Sequence, residues 1–310
     1  QEDIYAEVRR QAHLAIENLN KTGGGVSQAN LALGDAYFYN GDVNKWKKFV
    51  YSVLARSFHL TNKGANYQAD SVLYYCNLAI NSNADNAAAK FANTGITGTS
   101  NFFGPIRGNV GVLRQTRFIA DLMSGVNSMF LGVADPRAPY IIRENTNGTY
   151  KGVRPTKGPD GLATADLPQN FWGSSFALTA APGNDNPCRY IFQNGVQFPV
   201  ITAAEIAFMK AEALWLTGNK PGALTAYIDG LNLSFDFLTG TPEFHNKVPA
   251  AMQITPATRA AYLANPAVVP TAANLTLSHI MMQKYIALYG YGFMQTWVDM
   301  RRYHYTDLDP

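Results

Sequence analysis

The chain has 310 residues, 47% of them apolar, so it is a folding chain long enough to bury a substantial core. Only 15% of its residues are charged, and the net charge of +3 is scattered, with no basic stripe of the kind that marks a nucleic-acid footprint. No run of about 18 apolar residues occurs, which excludes a membrane-spanning helix. The polar complement therefore falls to Asn, Gln, Ser and Thr, a composition that suits an exported bacterial protein or a polar, uncharged ligand.

In chain order, Ile4, Val8, Ala12, Ala15 and Leu19 recur every three or four residues and predict one apolar helix face. "TGGGVS" at 22–27 ends that helix. A phosphate loop needs a preceding strand and a following lysine, and this stretch has neither. Leu33, Gly34, Tyr37 and Gly41 then fall at the positions of a tetratricopeptide hairpin, with Gly34 permitting close helix approach and Gly41-Asp42 forming the turn. Trp46, Phe49, Val50, Val53, Leu54 and Phe58 mark its second helix. "DSVLYYCNLAINSN" at 70–83 predicts a helix capped by Asp70, with Cys76 in the core. The only other cysteine, Cys188, lies in a loop, and nothing in the spacing supports a bridge.

Between 93 and 199 the texture changes to recurrent Gly, Pro and Asn. "LRQTRFIADLMSG" at 113–125 reads as a helix; "APYIIREN" and "RYIFQNGVQFPVI" suit short strands. Long irregular regions on a helical scaffold are where binding surfaces usually sit. Beyond them, Thr202-x-x-Glu205 opens a helix by the capping-box pattern. Ile206, Met209, Ala213 and Leu216 line one side of that helix and Phe208, Ala211 and Trp215 another, so it is clamped between neighbours. Pro221 begins its partner, completing a second hairpin. Thr255 and Pro256 start a short helix that exits at Asn265. In the final stretch, 283–305, Gly290-Tyr291-Gly292 breaks a helix. Met281, Tyr285 and Leu288 predict one core face before the break, and Phe293, Trp297 and Met300 a second after it. Asp299 and Arg302 are spaced to pair. Arg301 is expected to be buried against Glu205 or Glu212.

Catalytic and metal motifs are missing. His13, His59, His245, His279 and His304 are isolated from one another. "GNDNP" and "GPDGLATAD" do not follow the calcium-loop pattern, and "WGSSF" lacks the second glycine of a nucleophile elbow. Glu205 and Glu212 look structural, so no cofactor and no metal is expected, and the chain reads as a binding protein, not an enzyme. Chemistry then rests on aromatic rings in the irregular region: Phe102, Phe103, Tyr150, Phe171 and Trp172. "YKGVRP" and "QNFWGSS" resemble loop tips that stack on a sugar or peptide and hydrogen-bond to it. The candidate ligand-binding set is Trp172, Phe171, Tyr150, Asn170, Arg154 and Phe103. The competing reading makes these rings loop anchors tucked onto the scaffold.

Four stretches together resemble one family. They are "GDVNKWKKFVYSVLARSFHLTNK" (41–63), "DPRAPYI" (135–141), "FPVITAAEIAFMKAEALWLTG" (198–218) and the Gln283 to Arg302 stretch with its Trp297-x3-Arg301-Arg302 ending. Their order and motifs resemble the SusD/RagB family of Bacteroidota, in its nutrient-binding branch; Tyr285 stands where the family often has tryptophan. The resemblance implies a mostly helical fold with tetratricopeptide-like hairpins and a long irregular, ligand-facing region holding few short strands. The implied layout is a single truncated domain: helical hairpins over 1–92, the irregular region over 93–199, and a hairpin with terminal helices over 200–310. It further implies an outer-membrane surface lipoprotein. Such a protein passes a glycan, or in some branches a peptide, to a SusC-like TonB-dependent transporter, with membrane attachment only through an N-terminal lipid anchor outside this sequence. The rival expectation is a helical-repeat interaction scaffold with no nutrient ligand.

Overall fold

The computed structural model describes residues 2–23, 25, 27–65 and 67–304. Parts of two sequence features, Gly24 and Val26 of the glycine stop and Tyr305 of the final stretch, lie outside the described residues. The described chain is mostly helical. Its helices are α1 (Glu2–Leu19), α2 (Gln28–Gly34), α3 (Val43–His59), α4 (Ala69–Leu78), α5 (Arg117–Met123), α6 (Ala138–Ile141), α7 (Ala203–Leu216), α8 (Lys220–Thr239), α9 (Pro242–His245), α10 (Pro256–Leu263), α11 (Leu277–Ala287) and α12 (Phe293–Arg302). Two short strands, β1 (Ala87–Ala89) and β2 (Phe198–Ile201), pair with each other. The chain divides into two compact units: residues 1–89, 199–234 and 271–310 form one, residues 90–198 and 235–270 the other.

The first unit is a stack of helices in which α3 packs against α1, α4 and α7, and α7 also packs against α4 and α11. Its core gathers Ala55, Val72, Cys76, Ile80, Ile206, Met209 and Ala213. Cys76 is thus a core residue, as its helical context predicts. α7 is apolar on two sides, and both are buried: Phe208, Ala211 and Trp215 on one, Ile206, Met209 and Ala213 on the other. Leu216, at its last turn, is exposed. Helix α8 comes close because Gly230 lacks a side chain; a Cβ there would sit 2.9 Å from the Phe208 ring. Thr202 caps α7 by accepting from the Glu205 N–H, and Pro221 lies in the first turn of α8, both as the sequence predicts. α10 likewise has its Thr255 cap, with Thr258 completing the box, and Pro256 in the first turn.

Several expectations change. α1 buries Ala12, while Ile4 and Val8 are exposed. Ala12, Ala15 and Leu19 of the expected face, with Ile16, pack against the cluster of Val50 and Leu54. The first hairpin has a stunted opening helix: α2 ends at Gly34, and Leu33 and Tyr37 are exposed. A Cβ on Gly34 would meet nothing, so close helix approach is not its role. Asp35 takes over instead, its carboxylate accepting from the Tyr39 and Gly41 amides and from Trp46 Nε1 (2.8 Å). Asn40 and Gly41 both adopt left-handed backbone, which makes the predicted turn before the Asp42 cap. α4 starts after Gln68, leaving Asp70 in its first turn. α5 is shorter than the 113–125 pattern because it begins only after Thr116. The "APYIIREN" segment forms α6 and not a strand, with Pro139 in its first turn and the Arg137 N–H held by Asp135.

The second unit has little regular structure, so its backbone groups need other partners. Amide side chains supply them. Asn101 donates to the carbonyls of Ile191 (2.6 Å) and Gln193 (3.1 Å). Gln115 donates to those of Arg143 and Lys151 and accepts from the Arg143 N–H. Asn101, Gln115, Asn145, Asn170, Gln193 and Asn194 are all buried. The amide richness of the sequence therefore serves loop interiors as well as the surface.

Candidate functional site

Five of the six candidate ligand residues are at least half-buried. Trp172 is fully buried; its Nε1 donates to the Phe103 carbonyl (2.8 Å), and its N–H donates to Asn170 Oδ1 (3.0 Å). Asn170, also fully buried, additionally accepts from Ser174 N–H and donates to the Leu178 carbonyl. Phe171 is buried and stacks on Phe192 with centroids 4.3 Å apart; half-buried Phe103 also stacks on Phe192, at 5.8 Å. Tyr150 is half-buried, and burial raises its phenol above the ordinary range. Arg154 is exposed and donates to the Asp160 carbonyl across a turn.

The structure brings Trp172, Phe171, Asn170 and Phe103 together, but as the interior of the loop cluster. Loop tips ready to stack on a ligand would keep a ring face in water; Trp172 and Phe171 do not. The signal was ambiguous because an aromatic-amide loop has the same composition whether its ring points out or in.

Arg143 is the post around which these loops are tied. It is buried, donates from Nε to Phe171 O (3.1 Å) and from Nη2 to Pro187 O (2.5 Å), and meets no carboxylate in those bonds. Burial, reinforced by Arg189, lowers its guanidinium to about 10. Arg114 plays a similar part, donating to the carbonyls of Gly111, Leu113, Phe176 and Leu178. Asp135 and Glu144 are committed to ion pairs with Arg137 (2.6 Å) and Arg189 (2.8 Å). Tyr262 also donates to Asp135. Cys188 is buried and, like Cys76, free. Among the described residues no group of three His, Cys, Asp or Glu side chains could hold a metal ion, and no helix is long and apolar enough to cross a membrane.

Among the aromatic rings of the cluster, Phe102 is the exposed one, at 56%. Its backbone is rigidly placed. Asn101 ties the preceding residue to the 191–193 segment, and Trp172 ties the following one. Gly104 lies so close to Asn194 that a Cβ would meet its backbone at 2.8 Å. Exposed Asn109 donates to the Phe102 carbonyl (3.0 Å). An aromatic ring and a primary amide thus share one supported surface loop. Phe102 stood in the sequence among the loop aromatics; only burial separates it from Phe103.

In the first unit, α7 carries two buried carboxylates. Glu205 is held by Arg56 through both oxygens (2.7 and 2.8 Å). Glu212 accepts from His59 Nε2 (2.7 Å), Asn62 (2.9 Å), Arg302 Nη1 (2.7 Å) and Tyr303 OH (2.5 Å). Burial opposes its charge, but His59 and Arg302 outweigh burial and hold its carboxyl well below the usual range. The buried arginine is therefore Arg302, which also pairs with Asp299 as expected; Arg301 is exposed. α12 begins after the predicted Gly290–Gly292 break, but its apolar residues point outward: Phe293 is 60% exposed and Trp297 51%.

Over residues 1–310 the sequence matches the SusD-like_2 family model, described as "Starch-binding associating with outer membrane". No curated protein matches it. Among solved structures, a SusD/RagB family protein from Bacteroides thetaiotaomicron superposes with a TM-score of 0.69 at 21% identity, covering 98% of this chain and 61% of that one. A SusD homologue from Parabacteroides distasonis gives 0.62 at 21% identity, covering 97% and 60%. A chitin-binding SusD homologue from Flavobacterium johnsoniae gives 0.57 at 17% identity, covering 100% and 61%. These likenesses are likenesses of fold. The chain spans about three fifths of the length of these solved relatives.

Proposed function

This chain belongs to the SusD-like family of outer-membrane-associated binding proteins, and from that membership we propose that its full-length protein captures an oligosaccharide at the cell surface. The captured glycan then passes to a TonB-dependent transporter in the same membrane, on whose external face the protein sits. The loop cluster within 93–199 is the ligand-facing region. The observation that carries this reading is the exposed Phe102 ring on a loop tied by Asn101 and Trp172, with the exposed Asn109 amide bonded to the Phe102 carbonyl. Pyranose rings present an apolar C–H face and a rim of hydroxyls, which an aromatic face and an amide complement. In this reading Phe102 stacks, and Trp172, Phe171, Phe103 and Asn170 position the surface without touching the ligand.

Titration of the full-length protein against glycans, with peptides as the competing class, tests it. Phe102→Ala should weaken binding about tenfold, the equivalent of one lost stacking contact, and leave the fold unchanged. Binding of peptides alone would move the assignment to the peptide class. The burial of Trp172, Phe171 and Asn170 favours a second reading, a helical-repeat interaction scaffold without a nutrient ligand. Failure of every glycan and peptide to bind, with a transporter still co-purifying, would select that one.

A further inference from the structure

Helix α12 is attached by charge. Among the described residues its buried side chains are Asp299 and Arg302, while Phe293, Met294, Trp297 and Met300 are each at least half exposed. Asp299 is joined to Lys284 of α11 (2.7 Å) and to Arg302; Arg302 is joined to Glu212 of α7; Glu212 is joined to His59 of α3. Two carboxylates and two cations balance, so the cluster is neutral when His59 is neutral. An ionised carboxylate only accepts, so the proton of neutral His59 resides on Nε2, which donates to Glu212. His59 Nδ1 is buried and has no hydrogen-bond partner among the described residues.

A second proton on His59 would therefore have two consequences. It would leave a buried N–H unmade, and it would add an uncompensated positive charge beside Arg302 and Lys284. The charged groups acting on His59 are Glu212 on α7, Arg302 on α12 and Lys284 on α11; around them, Asp299 pairs with Arg302, and the Tyr67 and Tyr303 phenols lie by Glu212 and Arg302. Of these only Glu212 attracts the proton strongly, and it is already satisfied by Asn62, Arg302 and Tyr303. We propose that His59 is the trigger of an acid-sensitive clasp, its protonation releasing α12 from the helices that hold it.

The direction follows from linkage. Burial first, then Arg302 and Lys284, lower the His59 imidazole below its ordinary value of 6.5, and Glu212 does not reverse this. With α12 docked, His59 binds fewer protons than with α12 released and the site wet. Docking is therefore at full strength above pH 6.5 and weakens as pH falls below it. Below pH 6.5, where release takes up close to one proton, the released fraction rises about tenfold for each unit by which the pH falls.

Hydrogen exchange of the α12 amides, corrected for intrinsic rates, reads this fraction between pH 7.5 and 5. The intact protein should be nearly flat from pH 7.5 to 6.5 and approach the tenfold rise per unit below that. His59→Gln, whose side-chain amide can donate to Glu212 but cannot gain a proton, should be flat. Equal slopes in the two proteins, or a flat response in the unsubstituted one, would overturn the proposal. Should His59→Gln not fold, nitrogen NMR of labelled histidines in the unsubstituted protein decides. His59 is expected to remain in the Nε2–H neutral form wherever α12 is protected. A protonated His59 beneath a protected α12 would refute the clasp.

Discussion

The helical and the loop-rich units solve the same problem, burying polar groups, in opposite ways. In the helical unit the backbone bonds to itself, so the buried polar side chains are free to bond to one another. Arg56–Glu205 and the Glu212 cluster link α3, α7, α11 and α12 by charge. In the loop-rich unit the backbone has few ladders, so side chains must satisfy it. Asn101, Gln115 and Arg143 bond to main-chain atoms of other segments, and Asn170 to those of its own loop. An amide-rich, weakly charged sequence need not place every amide on a polar surface; a subset of them wires the interior.

The sharpest test of that contrast is Glu212→Ala. It strands Arg302 and Asn62 in the helical unit and should cost about 3–5 kcal/mol, read as a lowered denaturation midpoint. A loss under about 1 kcal/mol would mean that the cluster is solvated and not structural. Next comes Gln115→Ala, which leaves the Arg143 and Lys151 carbonyls and the Arg143 N–H without their partner. A cost of about 1–3 kcal/mol is expected, with increased amide exchange centred on 143–151 and the helical unit unaffected. Arg301→Ala should change stability by less than about 0.5 kcal/mol, although Arg301 stands next to a buried arginine. The smallest effect is on thiol chemistry. Burial pushes both Cys76 and Cys188 up to about 12, one in each unit, so neither should react with iodoacetamide at pH 8 until denaturant is added. Selective labelling of Cys188 would show that the loop-rich unit opens first.

Much of the helical unit was legible in the sequence. The α7 cap at Thr202, its two apolar sides, the Pro221 start of α8 and the Gly290–Gly292 break all depend on residues within a few positions of each other. The loop-rich unit was legible only as irregular. Whether "NFW" lifts its tryptophan into solvent or tucks it under Phe103 depends on a carbonyl 69 residues away, and no local pattern encodes that partner.

The final stretch divides the two kinds of information most cleanly. Periodicity by itself fixed that 293–302 is a helix with an apolar stripe and an arginine pair, because helix formation is local. It also placed Asp299 and Arg302 within reach of each other. Which stripe faces inward was decided elsewhere. Adjacent helix positions differ by about 100° of rotation, so Glu212 on α7 and Lys284 on α11, by drawing Arg302 and Asp299 inward, turned Arg301, Phe293 and Trp297 toward water. The sequence by itself determined the helix and its two faces; only the tertiary structure, through charges brought together from 90 residues away, chose between them.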